Sequence, residues 1–326
     1  MSDPASAAPP AGVAEQRRAA RPVVLRHRVQ YAGIRGVIGA FGALGFHAAS
    51  DLGARIGLLG YAPLGIRRRV VERQIEAAFP NWDAARVRAT ARAAYESLGR
   101  TSIEAAVLAR CSREDILALF DPPDSWPVFE AARRQGRGVI IVAGHLGNWE
   151  LAGAYLAARG GGLDVVTRQQ ENPLFDAYLA RTRTRLGMTP IWDGDAVRRA
   201  PRALRHGAAV GFVMDQGAAG LASTWVPFFG RLAKTPRGAA TFALRLHAPV
   251  VFIVALRKPD GRFTVHFEAV PVRETGDKNA DVDRIVADCT SVLERWVRRC
   301  PEQYFWHHRR WKHQQPGTPP ELGNPL

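Results

Sequence analysis

The chain has 326 residues, 47% of them apolar, which is enough to bury a sizeable core and excludes a disordered chain. A formal net charge of +15, carried mostly by arginine, narrows its partners to polyanions: nucleic acid, an anionic membrane surface, or an acidic substrate or carrier protein. Three widely spaced cysteines (Cys111, Cys289 and Cys300) with no Cys-x-x-Cys pair argue against a disulfide framework or thiolate metal site and make a reducing, cytoplasm-facing location the default.

Residues 1–30 read as a disordered tail: the first 22 are rich in Ala, Pro and Arg, and no compact apolar core precedes a small-residue cleavage site. Residues 31–66 form the next unit. Positions 36–50 carry no formal charge; Asp51 and Arg55 then interrupt before 56–66 resumes. A spanning helix needs about 20 consecutive apolar residues, so the segment reads as a core helix, an interfacial helix or a single anchor. The run Arg67-Arg68-Arg69 that follows favours anionic headgroups.

The third unit, 67–312, opens with helices over 66–79 and 83–110, with Asp83 as N-cap after the breaker Pro80-Asn81-Trp82. A short helix reaches Gln135. Residues 139–142, wholly apolar and β-branched, have the look of a buried parallel strand. Helical pattern then covers 148–159, 173–186, 195–206, 236–247 and 281–299. Strand pattern covers 163–167, 189–192, 210–214, 250–256 and 262–267. That alternation predicts an α/β fold, a central mostly parallel sheet flanked by helices with a helical N-terminal layer. Residues 313–326, rich in Pro and Gly, read as a loose tail.

His145 lies on the turn after strand 139–142, in Gly144-His-Leu-Gly-Asn-Trp-Glu150. Catalytic groups of open α/β sheets gather at the carboxyl ends of strands. Glu150, in the first turn of the next helix, is placed to orient the imidazole as it takes a proton. Gly144 and Gly147 leave room for substrate, and N–H groups at the helix start, after Asn148, can hold a phosphate or an oxyanion. The same spacing also fits a loop histidine followed by a helix-start glutamate. No Gly-x-Ser-x-Gly elbow, zinc-type His-Glu-x-x-His, Gly-x-Gly-x-x-Gly or P-loop is present, so no covalent nucleophile, metal or other cofactor is expected.

The segment 144–150 resembles the His-x4-Asp/Glu motif of the glycerolipid acyltransferase superfamily, and the chain from about 30 to 312 resembles the bacterial lipid A late (secondary) acyltransferases. Three further blocks carry the resemblance in order: Val166-Thr-Arg168-Gln-Gln-Glu-Asn172-Pro173-Leu-Phe-Asp176; Phe212-Val-Met-Asp215-Gln216 followed by Val226-Pro-Phe-Phe-Gly230 and Ala248-Pro249-Val250; and Pro301-Glu-Gln-Tyr304-Phe-Trp306-His-His308-Arg309-Arg310-Trp-Lys312. It implies a glycerolipid-acyltransferase-like fold and a catalytic pair of His145 and Glu150. Gly144, Gly147, Asn148, Arg168, Asp215, Gln216, Arg309 and Arg310 are the candidate substrate contacts. Asn172 is the better candidate for a helix N-cap than for a substrate contact. The implied donor is acyl-acyl carrier protein. The implied acceptor is a lipid A precursor, a membrane lipid met at the cytoplasmic face of the inner membrane. The stretch Gly217-Ala-Ala-Gly220-Leu-Ala222 departs from the family pattern, which leaves acceptor and acyl-chain selectivity open. A lysophospholipid, an ornithine-type lipid or a mannosylated phosphoinositide are the alternative acceptors. A nucleic-acid binder would cluster its basic residues with aromatics; here the arginines are scattered and only 306–312 mixes Trp, His and Arg, so no nucleic-acid partner is expected.

Overall fold

The computed structural model describes residues 22–217 and 220–326. The N-terminal tail expected over 1–30 therefore lies largely outside the described residues, as do Ala218 and Ala219 of the divergent stretch.

Four helices come first: α1 (Leu25–Ala43), α2 (Phe46–Tyr61), α3 (Arg68–Ala78) and α4 (Ala84–Val107). The uncharged run is thus two helices, parted at Gly45, whose φ of 77° no helical residue adopts. No helix among the described residues is long and apolar enough to cross a membrane. Gly53 and Gly57 of α2 meet Gly99 of α4 backbone to backbone. A Cβ on Gly57 would lie 2.0 Å from the Tyr95 carbonyl oxygen, so the small residues that make this stretch look membrane-like are needed for helix packing. Asp83 caps α4 as expected, accepting from the Arg86 N–H at 2.7 Å.

Next come α5 (Arg113–Ala118), α6 (Trp126–Arg133), β1 (Val139–Ala143), α7 (Trp149–Ala158), β2 (Leu163–Thr167), α8 (Pro173–Arg185), β3 (Met188–Trp192), α9 (Ala196–Arg205) and β4 (Ala209–Val213). After them lie β5 (Ser223–Phe228), β6 (Arg231–Pro236), α10 (Gly238–Leu246), β7 (Val250–Arg257), β8 (Phe263–Val270) and α11 (Lys278–Arg299). Six strands form one sheet in the order β3-β2-β4-β1-β7-β8, all pairs parallel except β7–β8.

β1 is buried along its whole length, and its side chains alternate between two cores. Ile140 and Val142 join the core built with α9, α10, α11 and the closing block. Val139, Ile141 and Ala143 join the one built with α7 and the Phe120–Phe129 region. A strand covered on both faces cannot alternate polar and apolar residues, which is why 139–143 is apolar throughout.

An antiparallel hairpin, β5–β6, lies where the sequence pattern predicts no strand. Pro227 disguises its first strand, and its two-residue turn is Phe229-Gly230, both at positive φ (52° and 73°), where Asn-Gly is the usual signal. Asn172 caps α8 through its Oδ1, and its Nδ2 donates to the His27 carbonyl at 2.9 Å, tying α1 to α8.

Candidate active site

The loop between β1 and α7 is pinned on all sides. The His145 carbonyl accepts from Phe305 N–H, Gly147 N–H donates to the Gln303 carbonyl, and Asn148 N–H donates to the Ala255 carbonyl, each at 2.9 Å. Gly147 has a φ of 62°, and a Cβ there would sit 1.9 Å from the Ala255 carbonyl oxygen. Only glycine lets the loop lie this close to β7.

β4 is the parallel neighbour of β1, so the two strands end side by side with His145 and Asp215 just beyond them. His145 Nδ1 lies 2.6 Å from Asp215 Oδ1, and the His145 backbone N–H donates to Oδ2 at 3.0 Å. Asp215 is 3% exposed. Burial alone would raise its pKa. The His145 imidazole, its backbone N–H and the Arg310 guanidinium outweigh that and hold it at about 2. An ionised carboxylate can only accept, so Nδ1 carries a hydrogen toward it, and in the neutral imidazole the lone pair is then on Nε2. Trp149 and Phe305 wall the ring, with centroids 4.7 and 5.9 Å away. Burial, then the Asp215 charge, keep the Tyr304 phenol well above its ordinary pKa, so it stays protonated beside the pair.

His145 faces a cavity of about 720 Å³ walled by α1, α4, α7 and α8. Its lining is mainly apolar, including Val37, Ile38, Leu98, Ala105, Leu179 and Met188, with His145, Glu150, Arg183 and Gln216 among its polar members.

Glu150 is engaged elsewhere. Its two carboxylate oxygens accept from Arg183 Nη2 at 2.6 Å and Nε at 3.3 Å, and Arg183 Nη1 donates to the Thr167 hydroxyl at 3.1 Å. The carboxylate that orients His145 is therefore Asp215, 70 residues away, and not Glu150. From the first turn of α7, Glu150 is directed toward α8, where a guanidinium answers its charge.

Behind the loop lies a second buried carboxylate. Glu104 of α4, with no exposed surface, accepts from Ser50 Oγ at 2.6 Å, Asn148 Nδ2 at 2.8 Å and Arg257 Nε at 2.9 Å, with Arg257 Nη2 on its other oxygen. Arg257 also donates to the Thr101 hydroxyl, which donates to the Gly147 carbonyl at 3.2 Å.

Residues 18–313 match the family model described as bacterial lipid A biosynthesis acyltransferase. The chain belongs to the bacterial lipid A biosynthesis acyltransferase family. It is 27% identical over 269 residues to the lipid A biosynthesis lauroyltransferase of Escherichia coli (strain K12), covering 82% of this chain and 86% of that protein. It is 25% identical over 283 residues to the lipid A biosynthesis palmitoleoyltransferase of the same strain, covering 85% and 89%. The protein is thus an acyltransferase.

The acyltransferase holds several predicted contacts away from its cavity. A Cβ on Gly144 would meet Leu293 at 2.5 Å, so Gly144 and Gly147 make room for protein and not for substrate. Asn148 is fully buried; its Oδ1 caps α7 by accepting from Leu151 N–H, and its Nδ2 is held by Glu104. The N–H groups of the loop itself are spent internally, those of His145, Leu146, Gly147 and Asn148 on Asp215, Gly144, Gln303 and Ala255, and at the helix start Leu151 N–H is taken by Asn148 Oδ1. Arg310 is 4% exposed, with its guanidinium on the Lys234 carbonyl (2.8 Å) and Thr235 hydroxyl (2.6 Å), so it supports Asp215 from inside and meets no solvent anion. Arg309 is half-buried, outside the cavity lining. Arg168 stands exposed beyond β2, also outside that lining. Gln216, next to Asp215, does line the cavity.

Sequence reasoning missed Glu104, Arg183, Arg257 and Phe305. Only Glu104 carried a local signal, as a lone carboxylate in the apolar helix end Ile103-Glu104-Ala105-Ala106-Val107. The others announce nothing until their partners are known.

Proposed function

We propose that this acyltransferase moves a fatty acyl chain from acyl-acyl carrier protein to a hydroxyl of a lipid A precursor, with His145 as general base. The observation that carries this reading is the His145–Asp215 pair opening on a large, mainly apolar cavity. Such a cavity suits an acyl chain, since each methylene removed from water contributes about 0.8 kcal/mol. Nε2 takes the proton of the acceptor hydroxyl as its oxygen attacks the thioester carbonyl. The tetrahedral oxyanion then collapses, the C–S bond breaks, and the imidazolium returns the proton to the departing sulfur. Asp215 fixes the tautomer and stabilises the imidazolium. A guanidinium has five N–H donors, and Glu150 and Thr167 take three of those on Arg183. We assign the remaining two to the oxyanion, with Glu150 holding Arg183 in place.

The donor is an acidic partner, and the +15 chain with Arg168 exposed at the carboxyl edge of the sheet suits its approach. The acceptor resides in the inner membrane. Leu25, Val29, Val37, Ile56, Leu59 and Leu64 are exposed on or beside α1 and α2, near Arg26, Arg28 and Arg55. That mixture suits peripheral binding to an anionic bilayer at its cytoplasmic face. Flotation with vesicles containing anionic lipid checks this arm, and recovery of the protein free of vesicles contradicts it.

The central test is purified protein with a series of acyl-acyl carrier protein donors and a panel of lipid acceptors, comparing wild type with His145→Ala. Transfer to the lipid A precursor, lost in the variant, is the expected result. Full activity of His145→Ala overturns the mechanism. Transfer only to a lysophospholipid, ornithine-type lipid or mannosylated phosphoinositide overturns the acceptor.

A further inference from the structure

Beside the acyl cavity, and sharing Ile38, Tyr178 and Thr182 with it, lies a smaller pocket of about 290 Å³ between α1, the end of α4 and α8. Four guanidinium groups line it: Arg35, Arg110, Arg181 and Arg185. Among the described residues, no carboxylate pairs with any of them. Like charges gathered in one pocket repel.

Two of the four are held in place by neutral groups. Arg185 donates to the Leu108 carbonyl at 2.8 Å and the Cys111 carbonyl at 3.0 Å. Arg35 stacks over the Tyr178 ring, 4.7 Å from its centroid. Arg110 lies against α1 so closely that a Cβ on Gly42 would meet its Cδ at 2.4 Å.

Tyr178 is 8% exposed, lines both cavities, and its hydroxyl is buried with no hydrogen-bond partner among the described residues. A buried hydroxyl without a partner costs about 1–3 kcal/mol, a cost that a ligand oxygen settling beside it would relieve. A ligand oxygen that accepts from this hydroxyl and from arginine forks answers both the missing partner and the uncompensated charge.

We propose that Arg35, Arg110, Arg181, Arg185 and the Tyr178 hydroxyl bind a phosphate ester of a substrate whose acyl chain lies in the adjoining cavity. The chain part of this assignment rests on the acyl-transfer reading above. Two sources carry that chemistry, the phosphopantetheine diester of the donor and a sugar phosphate of the acceptor. Kinetics separates them.

The first measurement is equilibrium binding of dodecyl phosphate, below its micelle concentration, against the neutral dodecyl glucoside. Wild type is compared with the double variant Arg110→Gln/Arg181→Gln and with Tyr178→Phe, which keeps the ring under Arg35. The double variant should weaken dodecyl phosphate about tenfold to a hundredfold, Tyr178→Phe several-fold, and neither should alter dodecyl glucoside. The second measurement is steady-state transfer. A rise in KM for acyl-acyl carrier protein assigns the site to the donor phosphate, and a rise in KM for the lipid acceptor assigns it to the acceptor phosphate. Unchanged affinity for dodecyl phosphate in the double variant, or unchanged KM for both substrates, overturns the proposal. If the wild type transfers no acyl group at all, the acyl-transfer reading fails, while the dodecyl phosphate comparison still decides whether the pocket binds phosphate.

Discussion

Replacing Asp215 by Asn is the sharpest test of the site, because the two carboxylates near His145 predict different outcomes. Asp215 uses both oxygens, Oδ2 for the His145 N–H and Oδ1 for Nδ1. An amide has one oxygen. If that oxygen keeps the backbone N–H, its NH2 faces Nδ1 and forces the hydrogen onto Nε2, where no proton can be accepted. If the amide turns over, NH2 confronts the backbone N–H, and a buried donor is left unpaired at about 1–3 kcal/mol. Either way the imidazolium also loses its counter-charge. The loss in kcat should be about a thousandfold to ten-thousandfold, or about 4–5 kcal/mol of barrier, with little change in KM. The assay is transfer from acyl-acyl carrier protein to the lipid acceptor at saturating substrate, with circular dichroism confirming the fold. Retention of more than a tenth of wild-type kcat in Asp215→Asn, alongside a thousandfold loss in Glu150→Gln, would return the orienting role to Glu150 and refute the reasoning.

Acid should reveal the same group. Its folded pKa of about 2 lies below the unfolded value of about 3.9, so its stabilisation, about 2–3 kcal/mol, is complete above about pH 5 and lost as pH falls through about 2. Acid unfolding of Asp215→Asn should be flatter across that window, and an unchanged curve counts against the assignment. Glu104→Ala strands the buried Arg257 and should cost about 3–5 kcal/mol in urea unfolding; a loss under 1 kcal/mol would mean the network is not structural. Ala105→Phe fills the cavity wall and should shift donor preference to shorter chains by roughly tenfold or more in kcat/KM. An unaltered chain profile would remove the cavity from chain recognition. Arg183→Gln should lower kcat about a hundredfold if it serves the oxyanion, and a purely KM effect would make it a binding residue instead.

Much of this protein is determined by local sequence. The short β-branched run at 139–143 suits a strand buried on both faces, Asp83 and Asn172 start helices by capping free N–H groups, and His145 falls on a strand-to-helix turn. Those features depend on neighbours within a few residues, so they can be read along the chain. Which carboxylate meets His145 depends on strand order. Glu150 is five residues away in sequence but leans to Arg183, whereas Asp215 arrives because β4 lies beside β1 in the sheet. Arg310 shows the same division: its charge is plain in the sequence, but the hairpin β5–β6 and the closing block turn it inward, onto Lys234 and Thr235. Glycines at 144 and 147 look like space for substrate until Leu293 and Ala255 are found filling it. The sequence alone determined that a histidine would sit at the carboxyl edge of a parallel sheet. The partner that tunes it, and the cavity it faces, came from contacts between distant segments that only the tertiary fold brings together.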